Sequence, residues 1–115
     1  MEIEFLALPN GVSPVADFIF NLNDKPHKKI LRTFELFEAD PFAFMKYSGV
    51  LRKMSGYEQY DLWEFRIIFD KIKYRILCSI KKTKCYLVHV FIKTSQKTPA
   101  REINIAIERI KTHIE

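Results

Sequence analysis

The sequence lacks any apolar run that approaches the ~20 residues needed to cross a bilayer. It has no internal repeat, no low-complexity stretch and no linker longer than a few residues, so one domain over residues 1–115 is expected. Hydrophobic residues make up 48% and charged residues 29%, which excludes intrinsic disorder, a collagen-like fibre and a disulfide-rich secreted scaffold. The first residues are acidic where a signal peptide would be basic, so we expect no targeting segment, no membrane association and a cytoplasmic location.

Cysteine and histidine are also scarce, with two and three copies. The spacing of Cys78 and Cys85 matches no zinc signature. If the chain turns through residues 81–83, the two thiols lie on opposite faces of a sheet and cannot form a disulfide. We therefore expect a protein that uses no metal and no cofactor.

Charge is distributed unevenly along the chain, whose formal net charge is +5. Residues 1–45 carry four Lys/Arg against seven Asp/Glu, residues 46–97 carry twelve against four, and residues 98–115 carry three of each. The middle segment, which is also rich in aromatic residues, therefore holds all of the excess positive charge. Such a segment favours a polyanionic partner, most often nucleic acid, through release of counterions from phosphates. The alternative is a solvated lysine face that only keeps the protein soluble.

The first part of the chain predicts one strand and two helices. Residues 2–8 favour a short strand that ends at a turn. Ser13, followed by proline, is typical of a helix N-cap. Asp24 is expected to cap a second helix over residues 25–39, which the Asp-Pro pair ending at Pro41 terminates. The two helices should form an antiparallel hairpin.

Beyond Pro41 the spacing of apolar residues changes from 3.6 to 2, which predicts strands. The predicted strands cover residues 60–69, 72–80 and 86–92, with a shorter one around 47–53. Thr98, which precedes a proline, is expected to cap a last helix. The fold class is therefore α+β, with an N-terminal strand and helical hairpin followed by an antiparallel β-meander and a C-terminal helix.

One face of this sheet is expected to be polar, because the aromatic residues alternate onto the face that packs on helices. The polar face collects Glu64, Arg66, Lys73, Arg75, His89 and Lys93. A tight turn near Asp70 places Arg66 opposite Arg75, and a three-residue loop in the next hairpin places Arg75 opposite His89. The sequence thus predicts a row of two arginines and a histidine across three strands.

This row predicts cleavage of a phosphodiester through the RNA 2′-hydroxyl. Planar guanidinium groups bind phosphate through paired hydrogen bonds. Arg66, Arg75 and Lys93 would stabilise the charge on the phosphorane, and His89 or Glu64 would deprotonate the 2′-hydroxyl. The predicted catalytic residues are these five, and the predicted RNA-binding residues are Lys53, Lys73, Gln96 and Lys97.

Each of these residues also has a purely structural interpretation. His89 can be a spacer between apolar neighbours in its strand. Arg66 and Arg75 can form a surface ladder held by Glu64 and by nearby aspartates. The segment 93–99 can be a simple loop before a helix, although backbone N–H groups at a helix start favour an anion.

Three motifs resemble those of a known family. They are LWEFRI at residues 62–67, YRIL at 74–77, and HVFIKTSQKTP at 89–99 followed by Glu102-Ile103. In order and spacing they are similar to the HigB-like branch of the RelE/ParE toxin superfamily, which shows an LWELR strand, a YRI strand and an HxFxKKxQKTPxxEIxxA segment. Many members of this branch are phage-derived proteins.

The resemblance implies a RelE-like fold and a toxin of a type II toxin–antitoxin system. Such toxins are metal-independent mRNA endoribonucleases that act on the ribosome and inhibit translation. A helix-turn-helix antitoxin protein binds and inhibits them. By motif position, the family's cationic residues fall on Arg66, Arg75 and Lys93, and its loop falls on Gln96 and Lys97. The second lysine of the family's KK pair is Thr94 here, which removes one cation from the expected site.

Two other functions remain open on the same fold. A ParE-type toxin binds DNA gyrase and cleaves no nucleic acid. An inactive binding module has the same fold but no catalytic activity. Fold analogy does not separate these from a nuclease. The three cations together favour the nuclease, because gyrase poisons lack such a cluster, whereas Thr94 favours the inactive module.

Overall fold

The computed structural model describes residues 1–115 as a five-stranded mixed sheet with helices on both faces. The elements in chain order are β1 (Glu2–Phe5), α1 (Pro14–Phe20), α2 (Asp24–Ala39), α3 (Pro41–Tyr47), β2 (Leu51–Lys53), a 3₁₀ turn (Glu58–Tyr60), β3 (Leu62–Phe69), β4 (Ile72–Lys81), β5 (Lys84–Ile92) and α4 (Ala100–His113). The strand order is β1-β5-β4-β3-β2; β1 runs parallel to β5 and the other pairs are antiparallel. The predicted α+β class and element order are confirmed.

Two apolar clusters cover the two faces of the sheet. The larger joins α1, α2 and α3 to the aromatic face, with Phe34, Phe37 and Phe65 at its centre. The smaller joins α4 to the opposite face through Leu62, Leu77 and the buried side of the helix. The central strand β4 is buried on both faces for six consecutive residues. The aromatic face therefore packs on helices as predicted, while α4 covers part of the other face.

The N-terminal half differs from the predicted boundaries at four points. Asp24, expected to cap the second helix, is its first residue, and Asn23 takes the N-cap position. The first strand ends at Phe5 instead of residue 8. A helix, α3, follows α2 directly, because the Asp40 side chain accepts a hydrogen bond from Ala43 N at 3.1 Å and Pro41 suits the first helical turn. The Asp-Pro pair thus ends one helix and begins another, and the predicted strand around 47–53 is reduced to Leu51–Lys53.

The β3–β4 hairpin has the predicted register. Its two-residue turn, Asp70-Lys71, has φ values of 50° and 68°, which match the left-handed turn that tight hairpins require. Arg66 lies opposite Arg75. This part of the predicted row is confirmed.

The β4–β5 hairpin does not have the predicted register. Its turn has two residues instead of three, since Lys81 pairs with Lys84, and a β-bulge near Val88 then shifts the pairing by one residue. As a result Arg75 lies opposite Phe91, and His89 lies opposite Leu77. The prediction that Arg75 faces His89 is wrong, because neither the turn length nor the bulge is visible in the alternation pattern.

The same register places the two cysteines on one face. Cys78 and Cys85 are both fully buried in the cluster under α1–α3, and both are free. Burial foremost, and then a hydrogen bond with Cys85, raises the pKa of the Cys78 thiol well above 9.0. The prediction of opposite faces is therefore wrong, and the two thiols pack as small core side chains.

No helix combines the length and the apolar character that a membrane span requires.

Candidate functional site

The candidate site lies where α4 leaves the sheet uncovered. α4 packs over Leu62 and Leu77, so the ends of β3 and β4 beside the Asp70-Lys71 turn remain open on this face, where Arg66 is exposed. The loop between β5 and α4, residues 93–99, runs along this opening and is called the site loop below. It starts on the sheet, because Lys93 N donates a hydrogen bond of 2.8 Å to Lys73 O.

Two adjoining pockets occupy this opening. The first, about 500 Å³, contains one carboxylate and is called the Glu64 pocket; it is lined by Arg52, Lys53, Met54, Ser55, Glu64, Arg66, Lys93, Gln96, Lys97, Thr98 and Ile103. The second, about 550 Å³, has only cationic and neutral polar residues and is called the Arg75 pocket; it is lined by Arg66, Lys71, Lys73, Arg75, Lys93, Thr94, Ser95 and Gln96. Both volumes lie within the range of small-ligand sites. Arg66, Lys93 and Gln96 form the wall that the two pockets share.

Arg75 is a buried cation at the floor of its pocket. It is only 5% exposed, and its Nη1 donates a hydrogen bond of 3.3 Å to Tyr74 O. Its Nε is buried without a hydrogen-bond partner and lies 3.9 Å from Glu64 Oε1. Burial lowers the pKa of this guanidinium, Glu64 opposes that shift, and Arg66 adds to it. The group nevertheless remains charged, since arginine is protonated throughout the physiological range.

Glu64 is held from two sides. Its side chain is 4% exposed; Oε1 faces Arg75, and Oε2 accepts a hydrogen bond of 3.1 Å from Thr98 Oγ1. Thr98 was predicted to cap the last helix, and this prediction is wrong: α4 has Pro99 at its N-cap position and no side-chain cap. The Thr98 hydroxyl instead ties the site loop to β3 and orients the carboxylate.

His89 lies under α4, away from both pockets. Its Nε2 lies 3.1 Å from Glu102 Oε1, and its Nδ1 lies 3.3 Å from Arg109 Nη1. Since Arg109 can only donate, Nδ1 accepts this bond and Nε2–H donates to Glu102. Burial lowers the pKa of His89 from its ordinary value of 6.5, while Glu102 partly offsets that shift. The ring therefore joins β5 to α4, and neither nitrogen lines the pockets.

The other residues predicted for the site converge on the two pockets. Glu64, Lys53 and Lys97 line the first, Arg75 and Lys73 line the second, and Arg66, Lys93 and Gln96 line both. Lys53 Nζ also lies 5.9 Å from the centroid of the Trp63 ring, a distance typical of a cation–π contact.

Sequence reasoning missed two cations and one hydroxyl. Arg52 lies opposite Glu64 on β2, and Lys71 lies in the tight turn. Arg52 depends on the register of a three-residue strand, for which the sequence carries no signal. Lys71 had a signal, because it belongs to the turn that was predicted. The bond from Thr98 to Glu64 joins residues 34 positions apart, which no local pattern reveals.

Two lysines of the basic segment that lie outside the pockets, Lys81 and Lys84, are paired with carboxylates at the far end of the sheet. Lys81 Nζ lies 2.9 Å from Asp61, and Lys84 Nζ lies 2.7 Å from Glu4 and 3.8 Å from Glu2. The pocket cations other than Arg75 form no ion pair. The unpaired positive charge is therefore concentrated at the pockets.

No group of three or more His, Cys, Asp or Glu side chains is arranged to hold a metal ion. The donors at the site are arginine, lysine, hydroxyl and amide groups, which suit an anion.

Comparison with known proteins identifies the family. Residues 17–111 match the family described as "Phage derived protein Gp49-like (DUF891)". The chain belongs to this family. The Gp49-like family is a toxin-like family of the RelE/HigB type. The same comparison finds no match among curated proteins and none among solved structures. All residues of the two pockets lie within the matched range.

Proposed function

We propose that this Gp49-like protein is the toxin of a type II toxin–antitoxin system and acts as a metal-independent, ribosome-dependent mRNA endoribonuclease of the HigB kind. The observation that carries the proposal is the composition of the two pockets. Eight arginine and lysine side chains and one carboxylate, Glu64, surround a single opening. A phosphodiester needs cations to bind it, and one proton acceptor is enough to start its cleavage.

The first chemical step uses the substrate's own hydroxyl. The Glu64 carboxylate, oriented by Thr98 and Arg75, takes the proton of the RNA 2′-hydroxyl. The 2′-oxygen then bonds to the adjacent phosphorus. Glu64 is assigned this role instead of His89, because both nitrogens of His89 are engaged under α4.

The second step breaks the bond between phosphorus and the 5′-oxygen. Arg66 and Lys93, which line both pockets, stabilise the negative charge that builds on the phosphorane, and Arg75 supports them from below. The leaving 5′-oxygen takes a proton from solvent. The products are a 2′,3′-cyclic phosphate on one fragment and a 5′-hydroxyl on the other.

The composition of the site supports dependence on the ribosome. The pockets provide charge, but their lining contains just two apolar side chains, Met54 and Ile103, so little surface is available to bind bases. The in-line arrangement of 2′-oxygen, phosphorus and 5′-oxygen must then come from a partner that bends the mRNA. The ribosome is that partner, and a helix-turn-helix antitoxin protein with an acidic docking surface would silence the basic site.

The test compares purified protein acting on free mRNA with the same protein acting on translating ribosomes. We expect cleavage on ribosomes only, with 2′,3′-cyclic phosphate ends, and no cleavage by a Glu64→Gln variant that thermal unfolding shows to be folded at the assay temperature. Efficient cutting of free RNA would contradict ribosome dependence.

The gyrase alternative is tested in parallel with a DNA supercoiling assay. Inhibition of gyrase by a protein that leaves ribosome-bound mRNA intact would overturn the proposal in favour of a ParE-type toxin.

A further inference from the structure

The Arg75 pocket contains more positive charge than one scissile phosphate requires. Arg66 and Lys93 already stand in the wall shared with the Glu64 pocket, whereas Lys71, Lys73 and Arg75 lie on the far side of that wall. No acidic side chain and no hydrophobic side chain lines this second pocket. Lys71 and Lys73 are exposed and form no ion pair.

The buried arginine below this pocket is an independent observation. Arg75 is 95% buried, and its Nε has no hydrogen-bond partner. A buried donor without a partner normally costs free energy, so such groups are rare unless a ligand or water satisfies the site. The guanidinium uses one weak bond, of 3.3 Å, to a backbone carbonyl. An anion in the pocket that Arg75 lines would offset the positive charge of this buried guanidinium.

We propose that the Arg75 pocket binds a second backbone phosphate of the RNA, the one that follows the scissile phosphate on its 3′ side. Lys71 in the β3–β4 turn and Lys73 at the start of β4 bind its oxygens, and the site loop adds the hydroxyl donor of Thr94. This inference rests on the proposed function, because the direction of the strand is set by the chemistry at Glu64.

The position of Glu64 fixes the direction of the strand. The attacking 2′-hydroxyl belongs to the nucleotide on the 5′ side of the scissile phosphate. That nucleotide must lie in the Glu64 pocket, where the proton acceptor is. With the scissile phosphate at the shared wall of Arg66 and Lys93, the chain continues in the 3′ direction into the Arg75 pocket. The next phosphate then meets Lys71 and Lys73.

The experiment removes the charge from the RNA and from the protein in turn. Ribosomes are programmed with an mRNA that carries a neutral methylphosphonate at the first linkage 3′ of the cleaved bond, or with the unmodified mRNA. Wild type, Lys73→Ala and the control Lys82→Ala are compared. Lys82 is an exposed lysine in the β4–β5 turn and lines neither pocket. Thermal unfolding checks that all three are folded.

A charge-assisted hydrogen bond to phosphate predicts a loss of roughly tenfold in cleavage of the unmodified mRNA by Lys73→Ala. The methylphosphonate should slow wild type and Lys82→Ala by a similar factor, but should not slow Lys73→Ala further, because the partner of that phosphate is already absent. A methylphosphonate effect of equal size in all three proteins would overturn the inference and leave the nuclease proposal intact.

A binding measurement separates this inference from the nuclease activity. A 2′-O-methyl RNA tetranucleotide, which cannot be cleaved, is titrated into the protein and followed by backbone amide shifts of the site loop. We expect shifts at residues 94–96 that weaken when the linkage is neutral or Lys73 is replaced. Such shifts in a protein without cleavage activity would support the phosphate site while overturning the proposed function. Their absence at any RNA concentration would overturn the site.

Discussion

Both ends of the sheet contain positive side chains, but these differ in how they are paired with carboxylates. At the β4–β5 turn, Lys81 and Lys84 lie 2.9 Å and 2.7 Å from carboxylates. At the pockets, the cations have one carboxylate among them, and its distance to Arg75 is 3.9 Å. Both ends belong to the segment that gives the sequence its excess charge. The difference shows that unpaired charge, and not charge alone, marks the candidate site.

The unpaired arrangement has a cost that favours a functional explanation. Arg66 and Arg75 lie directly opposite each other on adjacent strands, where like charges are destabilising. At the far end, by contrast, the ion pairs lower the pKa of Glu4 and raise that of Lys84, which indicates mutual stabilisation. A phosphate between the pocket cations would remove their repulsion.

The largest expected effect comes from replacing Arg66 at the pocket end. Arg66 is exposed and lines both pockets, so Arg66→Ala should lower cleavage of ribosome-bound mRNA by about 10²–10³. The melting temperature should stay the same or rise slightly, because repulsion with Arg75 is lost. Arg66→Lys should recover part of the activity, since an ammonium group cannot form the two parallel hydrogen bonds that a guanidinium forms with phosphate. Cleavage at the wild-type rate by Arg66→Ala would show that the wall shared by the two pockets does not take part in the reaction.

A smaller effect is expected from Thr98, whose hydroxyl donates a hydrogen bond to Glu64. Thr98→Val removes the hydrogen bond to the carboxylate, and a bond to a charged group contributes about 1.5–3 kcal/mol. We expect a stability loss of at most that size. We also expect the cleavage rate at saturating ribosomes to drop by about tenfold, because a misoriented Glu64 carboxylate is a less effective proton acceptor.

Thr98→Ser is the matched control, because it keeps the hydroxyl and should recover both stability and rate. A Thr98→Ser variant as slow as Thr98→Val would show that the methyl group matters instead of the hydrogen bond.

His89 should affect stability and its pH dependence more than activity. Burial lowers its pKa below 6.5 in the folded state, so below pH 6.5 the unfolded chain binds the extra proton and stability falls as pH decreases. Each pKa unit between the folded and the unfolded chain corresponds to about 1.4 kcal/mol in the free energy of unfolding.

His89→Gln, whose amide can still bond to Glu102 and Arg109, should unfold with a weaker pH dependence between pH 7 and 5 and cleave at the wild-type rate. Loss of cleavage in a variant that stays folded would indicate that His89, and not Glu64, is the general base.

The smallest effect is expected at the β4–β5 end. Lys84→Ala should lower the melting temperature slightly at pH 7 and leave cleavage unchanged. Glu4 has its pKa lowered from 4.5 by the hydrogen bond to Lys84, so its stabilisation is present above pH 4.5 and disappears as pH falls through the lowered value.

The difference in melting temperature between wild type and Lys84→Ala should therefore vanish in strong acid. It should also decrease above pH 10.5, as Lys84 loses its proton through its raised pKa. A difference that is independent of pH would show that the ion pair is not its source.

Much of the fold follows from local pattern. Alternation in β3 and β4 and the Asp70-Lys71 turn were sufficient to place Arg66 opposite Arg75. Helix α3 was missed because Asp40-Pro41 serves equally well to end a helix and to begin one. The cause of that ambiguity is physical: proline lacks the backbone N–H that a continuing helix needs, whereas the first turn of a new helix does not use that N–H.

The candidate site was predictable where it depends on one hairpin and not where it depends on two. Arg66, Arg75 and Lys93 were identified from charge and alternation, and all line the pockets. His89 was misplaced because the two-residue turn and the bulge each shift its strand by one position, so that Phe91 lies opposite Arg75. The Thr98–Glu64 and His89–Glu102 contacts depend on how the site loop and α4 dock, which alternation does not encode.

The most direct test is a structure of this protein on a translating ribosome whose mRNA carries a 2′-O-methyl group at the cleaved nucleotide, so that the substrate stays intact. The scissile phosphate is predicted to lie within hydrogen-bond distance of Arg66 and Lys93, with the 2′-oxygen directed at Glu64. An mRNA bound at the β4–β5 turn or on the α1–α3 face, with both pockets empty, would contradict the assignment of the unpaired cations as the catalytic surface.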